Sequence, residues 1–196
     1  MPDARMELSV APENKKGLPE IFNAHIETGD SDAIVFVHDD VWIEDYYLYD
    51  RVMEGLKAFD VIGVAGNRRR VKNQPTWSHV DDSFTKDNPE NLSGRVSHGN
   101  FPMGSVMVFG PAPAECELLD GVFLAARRRA LRESKALFDP QFDFHFYDMD
   151  FCRTAKSKGL RLGTWPICLT HQSVGVAFGG PSWVERRTLY RRKWSD

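Results

Sequence analysis

Ala33-Ile34-Val35-Phe36-Val37-His38-Asp39-Asp40-Val41-Trp42 is the stretch on which the reading of this 196-residue chain turns. An apolar run passes straight into a histidine and two adjacent carboxylates. A short continuous apolar run bounded by polar residues predicts a strand buried on both faces, as in a parallel sheet. Open α/β sheets bind ligands outside the carboxyl ends of their strands, so His38, Asp39 and Asp40 stand where a ligand is expected. Carboxylate oxygens there suit a divalent cation and, through it, a phosphate. The competing reading is local: Asp39 or Asp40 starts a turn, or caps the helix expected from Asp45 to Phe59. The stretch alone does not separate the two.

Upstream, Leu18, Ile21, Phe22, His25 and Ile26 fall at helical spacing and predict a helix ending near Gly29. Before it, Met6 to Val10 offers a short strand and Asn14-Lys15-Lys16-Gly17 a turn. Downstream, Tyr46, Leu48, Tyr49, Val52, Met53, Leu56 and Phe59 mark the next helix, and Val61 to Ala65 is a second run of the parallel-strand type. Gly66 to Asn100 is long and polar, with Arg68-Arg69-Arg70, Pro75 and Trp77 inside it, and loops of that length are usually functional or mobile. Ser105 to Phe109 and Cys116 to Leu119 read as strands. After the Asp120-Gly121 break come Val122 to Ala125 and a short helix within Arg127 to Leu137. A helix from Asp148 to Lys158, closed by Gly159, precedes strands at Leu160 to Trp165 and Ile167 to Thr170. That last strand runs into His171-Gln172-Ser173.

The bulk numbers exclude several classes. A hydrophobic content of 42% with 27% charged residues is that of an ordinary soluble globular domain, and the length supports one domain. A net charge of -3 argues against a dedicated nucleic-acid binder. Cys116, Cys152 and Cys168 are odd in number and form no CxxC pair, which favours a reducing compartment over a disulfide framework or zinc knuckle. With no signal peptide and no apolar run near the ~18 residues of a membrane span, a cytoplasmic location is expected. Basic charge is concentrated in Arg186, Arg187, Arg191, Arg192 and Lys193, a tail that reads either as a phosphate clamp or as a solvated, membrane-surface segment.

The segment from Phe138 to Phe151 sets aspartates and His145 among aromatics. Asp148 there has two readings. As a helix N-cap it would accept backbone N–H bonds, which lower its pKa. As a general base it would need lifting toward neutrality, and Phe144, Phe146, Tyr147 and Phe151 supply apolar surroundings for that. Asp150 faces another side of the helix and suits an orienting or capping role, while His171 at a strand end suits a third metal ligand.

The order of these motifs resembles the GT-A glycosyltransferases, within them the large family that uses nucleotide-diphosphate sugars, in its small bacterial glycosyltransferase-like branch. Asp39-Asp40 matches the metal- and diphosphate-holding DxD-type motif at a strand end, and Tyr147-Asp148-Met149-Asp150 matches the later Glu-Asp-x-Asp pattern, with Tyr147 in place of the acid. His171 matches a downstream metal ligand. The resemblance covers roughly residues 14–175 and leaves 176–196 as the basic, aromatic tail. It implies an α/β GT-A (Rossmann-like) fold, a mixed but mainly parallel sheet flanked by helices, shortened at its N-terminus, since no equivalent of the family's opening strands precedes Asn14. It also implies transfer of a sugar from a nucleotide-diphosphate sugar to a saccharide or lipid-linked acceptor hydroxyl, with inversion. Asp148 would be the base, Asp40 and His171 the ligands of Mn²⁺ or Mg²⁺, and Asp39, Asp40, Arg191 and Arg192 the donor contacts. Asp120, Gly121 and Tyr147 would meet the acceptor, His38 would be structural, and peripheral membrane contact or a homo-oligomer would be compatible with it. Two other readings stay open: a GT-A-like binding or regulatory module without a complete donor site, and a metal-dependent phosphoesterase using His38, Asp39, Asp40, His98, Asn100 and His171.

Overall fold

The structure is a computed structural model that describes residues 5–172 and 178–196. It begins with helix α1 (Leu18–Thr28), strands β1 (Ala33–Val37) and β2 (Val41–Ile43), and helix α2 (Leu48–Ala58). Strands β3 (Val61–Gly63) and β4 (Ala65–Asn67) follow, and after a 3-10 turn at Pro89–Asn91 come β5 (Leu92–His98) and β6 (Ser105–Gly110). Next are β7 (Ala114–Glu115), β8 (Leu118–Leu119), β9 (Phe123–Arg127) and helix α3 (Arg128–Ser134). The chain closes with α4 (Tyr147–Ser157), β10 (Leu162–Thr164), β11 (Leu169–His171) and α5 (Pro181–Trp194).

These elements form a mixed α/β architecture with two sheets. One has the order β1-β9-β3-β10-β7; the other has the order β2-β11-β5-β4-β8, with β6 paired to β5 off that path. Helices cover both faces of the first sheet. Ile34 and Phe36 of β1, with Leu124 and Ala126 of β9, share a core with Phe22 and Ile26 of α1, Leu131 of α3, Phe151 of α4 and Tyr190 of α5. The alternate residues Phe123, Ala125 and Ile62 pack instead with Val52 and Leu56 of α2. That alternation is the period-2 consequence of the strand pleat.

The expectation of a mainly parallel sheet is corrected. Among the described residues only β3 with β10 and β5 with β11 run parallel; the other ladders are antiparallel. β1 itself pairs antiparallel with β9 and lies at the end of its sheet, with Val35 36% exposed, so it is not buried on both faces. A five-residue apolar run carries no information on strand direction, which the connections decide. Val61 to Ala65 likewise divides at Val64 into two strands of different sheets. Residues 5–10 hold no strand, and the expected long loop contains the strand β5.

Aromatic packing fixes α4 relative to β1. Phe22 lies 4.6 Å from Phe36 and 5.3 Å from Phe138, and Phe138 stacks on Phe151 at 4.0 Å. Such rings bury on the order of 150–250 Å² each, so α1, β1 and α4 are set by one apolar contact surface. The end of α4 follows the expected glycine pattern: Gly159 has φ +82, its N–H donates to the Lys156 carbonyl, and Leu160 N–H donates to Ala155. That is a Schellman closure, which favours glycine because of the positive φ.

The C-terminal segment is no loose tail. It forms α5, whose Trp183 and Tyr190 enter the core. Arg186 pairs with Asp143, Arg187 with Asp82, and Lys193 with Asp139 and Asp150. Arg186 and Arg187 are therefore committed to carboxylates of the scaffold rather than held free for a diphosphate. The arginine triplet is similarly tied down: Arg69 makes a two-point contact with the buried Asp87, which also accepts from Asn67 and Asn91, and Arg70 pairs with Asp196. No described helix is long and apolar enough to cross a membrane.

Candidate active site

Four segments converge at one rim of the sheets. The turn after β1 brings His38, Asp39 and Asp40; the turn before β9 brings Asp120 and Gly121. The first turn of α4 adds Tyr147 and Asp148, and the end of β11 adds His171. Backbone bonds lock these together: His38 N–H donates to the Val122 carbonyl at 3.3 Å, and Gln172 N–H donates to the Asp40 carbonyl at 2.8 Å. Asp39 and Asp40 form a turn, as the local reading expects, and that turn joins β1 to the short β2, which the sequence reading missed.

His38, Asp40 and His171 form a group whose ligand atoms all lie within 4.8 Å of one another. His171 Nε2 is 3.2 Å from Asp40 Oδ1, and the His38 and His171 ring centroids are 5.7 Å apart. His98 borders the group, 5.8 Å from His171 between ring centroids. Two imidazoles and a carboxylate make a donor set suited to a divalent transition metal. His38, expected as a structural residue, is a member of this group. His38 and Asp40 stand two residues apart in the turn that follows β1, a spacing that by itself does not put them on one face. Asp39 is exposed.

Tyr147 connects this group to α4. Its hydroxyl donates to the Gly121 carbonyl at 2.9 Å and lies 2.8 Å from His38 Nε2. A carbonyl can only accept, so the hydroxyl proton goes to Gly121 and His38 Nε2 must be the N–H donor to the phenol oxygen. That tautomer leaves the Nδ1 lone pair of His38 available for a cation. Tyr147 is fully packed, and burial raises its hydroxyl well above the ordinary pKa. Gly121 must be glycine here, since a Cβ would overlap the Tyr147 hydroxyl. Burial lowers the His38 pKa, and the negative charge of Asp120 opposes that shift.

Asp148 is not the N-cap. The helix starts one residue earlier, at Tyr147, and the cap position is Phe146 in a left-handed conformation. The Asp148 carboxylate accepts from Met149 N–H at 2.8 Å and Gly121 N–H at 3.2 Å. Those bonds favour the ionised form, but desolvation outweighs them and the negative charge of Asp120 adds to it, lifting the pKa to about 7. Asp120 meanwhile braces its own turn by accepting Val122 N–H at 2.9 Å. Asp150 is turned into the protein, bonded to Lys193 and Trp194. Arg191 is half-buried and Arg192 exposed on α5, and the Arg191 carbonyl closes that helix by accepting from Asp196 N–H. Ser173 lies outside the described residues.

No family model and no curated protein matches the chain.

Proposed function

We propose that the protein is a metal-dependent glycosyltransferase of GT-A architecture. On this reading it transfers a sugar, with inversion, from a nucleotide-diphosphate sugar to the hydroxyl of a saccharide or lipid-linked acceptor. The observation that carries the reading is the junction of a cation-binding group with a neutral-range carboxyl. His38, Asp40 and His171 meet at one side of Tyr147, and Asp148, with a pKa of about 7, follows Tyr147 in the chain. With its pKa raised into the neutral range, Asp148 is suited to take a proton from an acceptor hydroxyl as that oxygen attacks the anomeric carbon. Asp120 and Gly121 border the carboxyl on the acceptor side, and Asp39, exposed in its turn, is assigned the ribose contact. The cation would be held by His38, Asp40 and His171, where its charge would offset that developing on the diphosphate leaving group. Two nitrogen donors favour Mn²⁺ over Mg²⁺, which prefers an all-oxygen shell.

Calorimetry with UDP and GDP, with and without Mn²⁺, tests this reading. Nucleotide binding is expected only with Mn²⁺, and it should weaken at least ~10-fold in Asp40→Ala. A chain that binds neither nucleotide with Mn²⁺ present would be a binding module instead. The three imidazoles around the rim favour one second reading, a metal-dependent phosphoesterase. Mn²⁺-dependent hydrolysis of p-nitrophenyl phosphate without nucleotide binding would establish it.

A further inference from the structure

Strand β6 carries the sequence Ser105-Val106-Met107-Val108-Phe109-Gly110 and pairs antiparallel with β5 on one side, from His98↔Ser105 to Gly94↔Gly110. Its other edge meets no strand among the described residues. Alternate backbone N–H and C=O groups of that edge point away from the sheet, and a strand in this position is a template for another strand. Natural edges are usually guarded by lysine, proline, a bulge or a cover. β6 contains neither a charged residue nor a proline, and its one bulge, at Phe109 opposite Gly94 and Arg95, lies beyond the regular stretch Ser105 to Val108.

The strand is also apolar where it meets water. Phe109 turns inward onto Trp77, 4.9 Å away between ring centroids, but Val106, Met107 and Val108 are 60%, 47% and 67% exposed. Phe101 and Met103, on the turn linking β5 to β6, are 78% and 80% exposed. Together these five leave on the order of 600 Å² of largely apolar surface in solvent. That is at the top of the range for a patch on a monomer. One side of a standard interface buries about 800 Å², about 65% of it apolar in homodimers. The patch therefore matches one half of a dimer contact.

We infer that β6 is a self-association edge, at which two copies of this chain join antiparallel into one continuous sheet. The free backbone groups call for a strand rather than a lipid surface, because hydrocarbon offers them no hydrogen bonds. Val106-Met107-Val108 is palindromic, so a two-fold axis through Met107 sets Val106 against the partner's Val108 and Val108 against the partner's Val106. The same strand is thus complementary to itself without any second sequence, and closed two-fold pairing is the commonest form of self-association. Each apolar cross-strand pair adds to the backbone bonds. The turn at the tip is held to the body at the site rim: Gly99 N–H donates to the His171 carbonyl at 3.3 Å, and Met103 N–H donates to the Glu44 carboxylate. The association edge is therefore tied to the end of β11, though the inference does not depend on the proposed chemistry.

Sedimentation equilibrium of the full chain from about 1 to 200 μM reads the outcome directly. The intact chain is expected to approach twice the monomer mass, and Val106→Lys or Val108→Glu alone should weaken association by on the order of 100-fold. Combining both substitutions should restore dimerisation, since in the two-fold register each introduced lysine faces the partner's introduced glutamate. Thermal melts of the dilute variants within a few degrees of the unaltered monomer show that the fold persists, as expected for exposed positions. A chain that stays monomeric throughout, with or without binding to lipid vesicles, would overturn the proposal. So would single variants that dimerise as before, or a double variant that fails to recover.

Discussion

Asp148 and Asp150 are two residues apart on the first turn of α4 and face opposite sides of it. Asp150 is fully buried, yet Lys193 Nζ stands 2.9 Å from one of its oxygens and Trp194 Nε1 stands 2.8 Å from the other. Burial raises its pKa, and the lysine and indole bonds pull it back. On the other side Asp148 receives backbone N–H bonds and the repulsion of Asp120, and its carboxyl rises to about 7. Both carboxyls are desolvated; a cation answers one of them. The answered group works as an anchor, fastening α5 to the body. The other is left with a proton affinity suited to exchange near neutral pH.

The largest test of that contrast is Asp148→Asn. The amide keeps the shape and through its one oxygen can still accept from Gly121 N–H, giving up the second acceptor at Met149 N–H, and it cannot take a proton, so transfer is expected to fall by ~10³-fold or more while nucleotide affinity changes less than ~2-fold. Retention of a tenth of the activity would remove Asp148 as the base. The same variant carries a stability signature of definite sign. Asp148 binds its proton more tightly in the folded chain, at a pKa of about 7 against an ordinary 3.8. Its favourable contribution is therefore complete at low pH and is lost as the pH rises through about 7. Asp148→Asn should match the unaltered protein near pH 4 and exceed it by about 1–3 kcal/mol at pH 8, as measured by urea denaturation. An advantage that instead grew toward acid would contradict the desolvated environment.

On the anchor side the effect is smaller and falls on stability. Lys193→Ala leaves Asp150 buried with only the Trp194 indole as a polar partner from α5. Removing one member of a buried pair costs 3–5 kcal/mol, but the lysine is one-third exposed, so about 2–3 kcal/mol is expected. Transfer per folded molecule should be unaffected. If Lys193→Ala slowed transfer as severely as Asp148→Asn, the division of labour across α4 would be wrong.

Much of this was legible in the residues, for identifiable reasons. Helix α1 announced itself by 3.6-residue spacing, and Gly159 marked the end of α4 because only a positive φ fits there. The desolvation of Asp148 was readable from the density of aromatics around it. Strand direction was not, because β1 and β9 are apolar on both faces whichever way they run. Nor was α5: its arginines pair with Asp143 and Asp82, partners remote in sequence, so its polarity read as solvent exposure. The surroundings of His38 were not legible either, because they are set by Tyr147, 109 residues away.

That dependence gives the finest test. In Tyr147→Phe the ring packing against Phe22 and Phe138 is preserved, so the fold should lose little. What disappears is the acceptor for His38 Nε2–H and the donor to the Gly121 carbonyl. The imidazole is then free to adopt the other tautomer or to rotate, and no hydroxyl fixes its orientation beside Asp40 and His171. Outer partners of ligating histidines are worth 10–100-fold in metal affinity, and here about 10-fold weaker Mn²⁺ binding is expected by calorimetry, since Asp40 and His171 remain. Asp148 is bonded to the Gly121 N–H rather than to the Tyr147 hydroxyl, and burial and Asp120 are what raise its pKa, so the pH at which transfer is half-maximal should stay near 7 once Mn²⁺ is saturating. A variant with unchanged Mn²⁺ affinity but a shifted pH profile would place Tyr147 with the base rather than with the cation group, and would move the boundary between the two sides of the site.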